Sequence, residues 1–203
     1  MNILSLVQTA LELSLICSLT VLALFLSYSM LNVCDLSTDG CFTLGAAVGA
    51  MVAIAGYPYL AILAAMGAGV LSGFITALLQ TKMGIDSLLA GIIVNTGLYS
   101  INIAVMGGSS LLNMNKTETV FTKARALLQG TFLAEQYKLL VAAIAVIAVI
   151  VFLALFLHTR LGLAIRATGD NPDMVRSSSI NPTFTTIVGL CVACLLYTSD
   201  AAD

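Results

Sequence analysis

Charge is scarce in this chain of 203 residues: Lys, Arg, Asp and Glu together make up 9%, with a formal net charge of −2. No basic cluster is present to neutralise a phosphate backbone, which argues against nucleic-acid binding. Catalytic signatures are missing as well. The chain has no H-E-x-x-H, no G-x-S-x-G and no G-x-x-x-x-G-K phosphate loop, so any ATP-driven process it serves must borrow its ATPase, and the chain reads as no enzyme. Histidine occurs once, at His158 beside Arg160, where interfacial anchoring suits it better than catalysis. The N-terminus lacks the Lys/Arg region and small-residue cleavage site of a secretory leader, so Leu4–Leu31 reads as retained structure. Cys17, Cys34, Cys41 and Cys191 are scattered through apolar sequence, where a thiol behaves as a small hydrophobe. The Cys191–Cys194 C-x-x-C spacing has no second ligand pair, so neither a metal site nor a cofactor is expected.

Apolar residues are what the chain has in excess. They make up 60% of it, and mean hydropathy is +1.06, more than a soluble domain of this size can hide from water. Leu139–Leu157 is uncharged throughout and, as a helix, reaches about 28 Å, close to the hydrocarbon thickness of a bilayer. The expected fold is all-α, a polytopic transmembrane helical bundle. Spans are expected at roughly Leu6–Leu31, Phe42–Gly56, Tyr59–Thr81, Ser87–Met106, Leu139–Leu157 and Thr183–Ala193. The second is short, and the polar stretch Asn32–Gly40 before it lies too close to its neighbours to sit free in water. A broken or re-entrant second segment follows, of the kind tolerated only inside protein or along a cavity. Between Gly107 and Gln136 the residues Val120, Phe121, Ala124, Leu127, Leu128 and Phe132 keep helical spacing, which predicts an amphipathic helix lying in the interface.

Small residues mark packing faces. Ala65, Gly69, Gly73 and Ala77 recur every four residues on the third span, and Gly45, Gly49 and Ala53 do so on the second, allowing close backbone approach. Polar groups within spans are fewer. A carboxylate near the bilayer centre costs about 2.5–3.5 kcal/mol on insertion scales, so Asp35 and Asp39 need a partner or water. They serve either a translocation path or the helix start, with Asp39 or Thr38 as cap and Asp35 at an interface. Asn95, Tyr99 and Asn102 form one polar stripe on the fourth span, suited either to lining a path for a zwitterionic solute or to holding helices together.

The segment Leu161–Pro182, LGLAIRATGDNPDMVRSSSINP, is polar between two apolar runs and carries helix stops at Gly169, Pro172 and Pro182. Arg166 and Asp170 stand at i,i+4 and can pair, but an exposed pair contributes only about 0.3–0.5 kcal/mol, which leaves recognition by a soluble partner as the better use. The pattern at Gly162, Ala164, Arg166, Ala167, Gly169, Asn171 and Pro172 resembles the cytoplasmic coupling loop of ABC-importer permeases of the branched-chain-amino-acid/ribose type. D-L-S-T-D-G-C-F-T-L-G-A, from Asp35 to Ala46, resembles a stretch of a branch associated with amino-acid uptake, aromatic amino acids included. The resemblance covers most of Cys34–Pro182.

The resemblance implies a bacterial inner-membrane, multi-pass permease subunit that conducts solute, with amino acids as the first expectation for cargo. It also implies a second permease subunit, ATPase subunits docking on the loop at Gly162, Arg166, Gly169, Asp170, Asn171 and Pro172, and an extracytoplasmic solute-binding protein. Membrane lipid is the remaining partner. Positive charge does not settle orientation, because Lys and Arg fall on both sides; the loop resemblance places Lys82 and Leu161–Pro182 in the cytoplasm and the N-terminus outside. A secondary transporter and a membrane scaffold without transport are the competing readings. The last ten residues, Cys194–Asp203 (CLLYTSDAAD), resemble one translated frame of a transposase sequencing adapter. Residues 1–193 are therefore expected to form the permease domain, as an N-terminal fragment, with 194–203 a non-native tail.

Overall fold

The computed structural model describes residues 3–108 and 137–202. Eight α-helices and one π-helical segment follow in order among the described residues: α1 (Ile3–Phe25), the π segment (Leu26–Met30), α2 (Thr38–Ile54), α3 (Pro58–Thr81), α4 (Ser87–Val105), α5 (Tyr137–His158), α6 (Arg160–Asp170), α7 (Pro172–Ser177) and α8 (Pro182–Ala202). The fold is all-α, as its composition predicts. The amphipathic helix expected over Val120–Phe132 falls outside the described residues.

Local chemistry explains where the helices stop. After the π segment Asn32 takes φ +53°, a left-handed conformation that Asn tolerates better than most residues, and the chain runs non-helical from 32 to 37. Gly56, at φ +94°, reverses the chain after α2, and Pro58 opens α3 at a first-turn position where no backbone N–H is missed. The Asp86 carboxylate accepts from the Leu88 amide at 3.0 Å and caps α4.

Three helical stretches, Thr9–Met30, Leu60–Thr81 and Ser87–Val105, are long and apolar enough to cross a membrane; α5 with α6 passes as a fourth, bent by 76°. The bend separates two kinds of sequence. α5 has 22 residues and reaches about 33 Å by itself, whereas α6 carries Arg160, Arg166 and Asp170. α2, with 17 residues, reaches about 26 Å. It begins at Thr38 rather than at the expected Phe42, directly after the non-helical 32–37 segment. α8 contains the expected sixth stretch, Thr183–Ala193, and its helix runs from Pro182 to Ala202.

α3 packs most extensively on α8, and α2 lies against both; α4 flanks α2, while α1 flanks α8 and α5. The stripe on α3 faces α8. Ala65 and Ala77 are fully buried, and a Cβ on Gly73 would lie 2.9 Å from the Leu190 carbonyl oxygen and 3.1 Å from the Cys191 Cα. Without a hydrophobic drive between helices in lipid, such close approach supplies dispersion that larger side chains would prevent. Cys194, Leu196, Tyr197 and Thr198 of the tail segment are buried in the same seam, with Thr198 against Gly45 and Gly69. Two hydroxyls of α3 in the interior are satisfied within their own helix: Ser72 donates to the Gly69 carbonyl at 2.8 Å and Thr76 to that of Ser72 at 3.0 Å. The outer surface is apolar, with Leu13, Leu63, Leu71 and Leu155 all exposed, as lipid-facing positions require.

A second cluster fixes one end of the bundle. Leu31, Ala77, Ile165 and Leu190 are buried together, so the C-terminal ends of the π segment and α3 share that end with α6. Lys82 and the Leu161–Pro182 segment therefore lie on the same side.

Candidate coupling loop and solute path

The segment after α5 is built by capping residues. The Thr159 hydroxyl donates to the Phe156 carbonyl at 2.6 Å and accepts from the Gly162 amide at 3.2 Å, which starts α6 directly at the bend. A Cβ on Gly162 would come within 2.5 Å of the Leu157 Cα, so only glycine lets the chain fold this tightly onto α5. The Asn-Pro dipeptides then act alike. The Asn171 side chain accepts from the Asp173 and Met174 amides at 3.1 and 3.2 Å with Pro172 opening α7, and the Asn181 side chain accepts from the Thr183 amide at 3.0 Å with Pro182 opening α8.

These helices have two distinct faces. Gly162, Ile165 and Thr168, spaced as one helix face, are buried on α6, and Val175 is buried on α7. The Thr168 and Thr185 hydroxyls are 2.8 Å apart and tie α6 to α8. The opposite face presents Leu163, Arg166, Ala167, Asp170, Asn171 and Met174, with Leu163 58% and Met174 69% exposed. The expected Arg166–Asp170 pair does not form. Among the described residues the ion pair of this segment is Arg176 to Asp173 at 3.8 Å, between two exposed side chains. Both Arg166 and Asp170 stand free on the outer face, because their side chains extend into solvent where pairing gains little.

The broken second segment is held by Asp35. Its Oδ1 accepts from the Ser37 amide at 2.9 Å and the Ser37 hydroxyl at 2.6 Å, and its carbonyl accepts from the Thr38 hydroxyl at 3.1 Å. This Asx turn starts α2. Neither Asp39 nor Thr38 caps it: Asp39 is exposed in the first turn, and Ser37 occupies the N-cap position without a side-chain cap bond. Asp35 is 5% exposed and lines a 440 Å³ cleft with Val21, Leu24, Phe25, Ser27 and Tyr28.

The polar stripe on α4 is divided. Asn95 stands against Gly40, where a Cβ would meet its side-chain oxygen at 2.6 Å. The Asn102 amide donates to the Thr43 hydroxyl at 2.7 Å. Tyr99 turns outward and is 68% exposed. Among the described residues no hydrogen bond joins the carboxylates of Asp35 or Asp39 to Asn95, Tyr99 or Asn102, so the structure does not gather the five into one site. Sequence reasoning missed Thr159, although Thr before an apolar-periodic run is a helix-start signal. It also missed the wedge position of Leu31, for which no local signal exists.

Comparison with known proteins agrees with this architecture. The family described as branched-chain amino acid transport system/permease component matches residues 6–196. The tyrosine transport system permease protein of Clostridioides difficile (strain R20291) is 34% identical over 181 residues, which is 89% of this chain and 57% of that protein. An uncharacterized protein of Rickettsia prowazekii (strain Madrid E) is 34% identical over 169 residues, covering 82% of this chain and 56% of its own length. The chain thus spans little more than half the length of these curated relatives. No solved structure matches it. An all-helical membrane protein with a match across nearly its whole length, the chain belongs to the family of permease components of branched-chain amino acid transport systems.

Proposed function

We propose that this chain is the N-terminal part of a permease subunit of a bacterial ATP-binding-cassette importer. It lies in the inner membrane, crosses it several times with its N-terminus outside, and carries amino acids. The observation that supports this most is the division of α6 and α7 into two faces. The buried face is fixed to the bundle by Ile165, Val175 and the Thr168–Thr185 bond. The outer face mixes exposed Leu163 and Met174 with unpaired Arg166 and Asp170, the composition of a surface that a protein cleft recognises. A helix pair exposed only to water has no use for Leu163 and Met174 there.

The importer comprises two permease subunits, two ATPase subunits docking on this face and an extracytoplasmic binding protein. The printed name of the Clostridioides relative supports an amino-acid cargo. Asp35, Asp39, Asn95, Tyr99 and Asn102 contribute to the solute path or its frame, and this chain makes and breaks no bond of the solute. The test is uptake of labelled tyrosine and leucine into vesicles holding the full-length permease with its ATPase and binding protein. The proposal expects uptake that requires internal ATP hydrolysis and is competed by amino acids. Uptake driven by an ion gradient without ATP overturns it in favour of a secondary transporter.

A further inference from the structure

The inward side of the coupling loop makes a contact that its outer face does not explain. Gly169 lies at the end of α6 against the last carbonyl of the π segment: a Cβ there would fall on the Met30 carbonyl oxygen, 2.9 Å from the Met30 carbonyl carbon and 3.1 Å from that of Leu31. These atoms are backbone, so no side-chain rotation makes room. The contact continues into Leu31, which is buried among Ile165, Ala77 and Leu190, with its side chain packed on Gly189 of α8. A displacement of α6 toward the π segment therefore meets the backbone of Met30 and Leu31.

What lies beyond them is a cleft wall. Ser27, Tyr28 and Ser29 of the π segment line the 440 Å³ cleft, and so do Val33, Cys34 and Asp35 of the chain leaving it. The two stretches are hydrogen-bonded to each other: the Val33 amide donates to the Ser27 carbonyl at 3.3 Å, and the Ser27 hydroxyl donates to the Val33 carbonyl at 3.4 Å. These two bonds tie the start of the π segment to the chain that leaves it. Single π turns of this kind recur at functional sites.

We infer that Gly169 is a positioning residue that transmits motion of the coupling loop through Met30 and Leu31 to the π segment and the Asp35 cleft. The inference rests on the importer reading and adds the element on which the ATPase acts. Motion entering at the outer face of α6 shifts the π segment and the turn held by Asp35 together, and so changes the cleft.

Cys34 provides a native reporter, because its thiol is exposed and lines the cleft. The experiment uses the full-length permease with its ATPase, with Cys17→Ser and any other accessible thiols replaced, and follows maleimide labelling of Cys34 with and without ATP. In the otherwise native chain the labelling rate should change severalfold on ATP binding. Although the family resemblance counts Gly169 with the docking positions, the structure turns it inward onto Met30, so in Gly169→Ala the ATPase should still co-purify, but the nucleotide response of Cys34 and solute uptake should both be lost. A nucleotide response in Gly169→Ala equal to that of the parent overturns the inference and leaves the importer reading intact. Failure of the parent to retain its ATPase overturns both. If Gly169→Ala does not reach the membrane, Leu31→Ala takes its place, since it removes the packing on Ile165 and Gly189: loss of the Cys34 response with the ATPase retained supports the inference, and a response equal to the parent's overturns it.

Discussion

The Asn102 amide nitrogen lies 2.7 Å from the Thr43 hydroxyl, which itself donates to the Asp39 and Gly40 carbonyls at 2.9 and 3.0 Å. A side chain of α4 is thereby bonded to the backbone of α2 through one hydroxyl. Intramembrane hydrogen bonds measured by double-mutant cycles average about 0.6 kcal/mol and reach about 1.7. Asn102→Leu and Thr43→Val should therefore each lower stability in detergent by roughly that amount, with the double variant costing less than the sum. Unfolding of all three variants checks this, and strictly additive losses would show that the bond contributes nothing.

Asp35 and Asp39 separate under one substitution. Asp35→Asn keeps an acceptor for the Ser37 amide and hydroxyl while removing the charge from the cleft, and Asp39 is exposed. If the Asp35 charge serves the path, the full-length Asp35→Asn permease should reach the membrane at near-normal abundance and show reduced uptake. Asp35→Ala loses the turn as well and should reduce abundance. Immunoblotting paired with uptake per molecule decides: low abundance with normal uptake per molecule in Asp35→Asn would leave Asp35 a purely structural role.

Residues 1–193 reconstituted with the ATPase should transport nothing, because Gly69 and Gly73 on α3 lose the α8 contacts made at Cys194 and Thr198 and a path between helices stays incomplete. Solute uptake by that fragment contradicts this expectation. The tail gives a parallel expectation: amplifying the gene from genomic DNA with primers inside residues 1–193 should return codons after Ala193 that do not encode CLLYTSDAAD. Recovery of the same ten residues would make the segment native.

Which features were legible in the sequence follows from their physics. Apolar runs and the stripe from Ala65 to Ala77 express local periodicity, and they predicted the long helices and a packing face on α3, though not its partner α8; Pro172 and Pro182, read as helix stops, in fact open α7 and α8. The boundary at Thr38 was not legible, since the turn that fixes it depends on Asp35 reaching Ser37, and Asp39 and Thr38 offered equally good local caps. Arg166 and Asp170 had the spacing of an ion pair, but solvent competes with such a pair at an exposed face. The π segment LSYSM has no residue signature, and the seat of Gly169 on Met30 joins positions far apart in the chain. Gly169 was read as a helix stop, but it lies within α6, which continues to Asp170, and its packing on Met30 gives another reason for glycine there.

The central claim, that the outer face of α6 and α7 docks an ATPase, is tested most directly by charge reversal at Arg166. Its side chain is exposed and joins no ion pair among the described residues, so Arg166→Glu disturbs no packing and insertion should be unaffected. Co-purification of the ATPase with the full-length Arg166→Glu permease should be lost, or ATP hydrolysis should continue without uptake. Normal ATPase retention together with normal uptake in that variant would mean that the segment is only a connector, and would contradict the importer account.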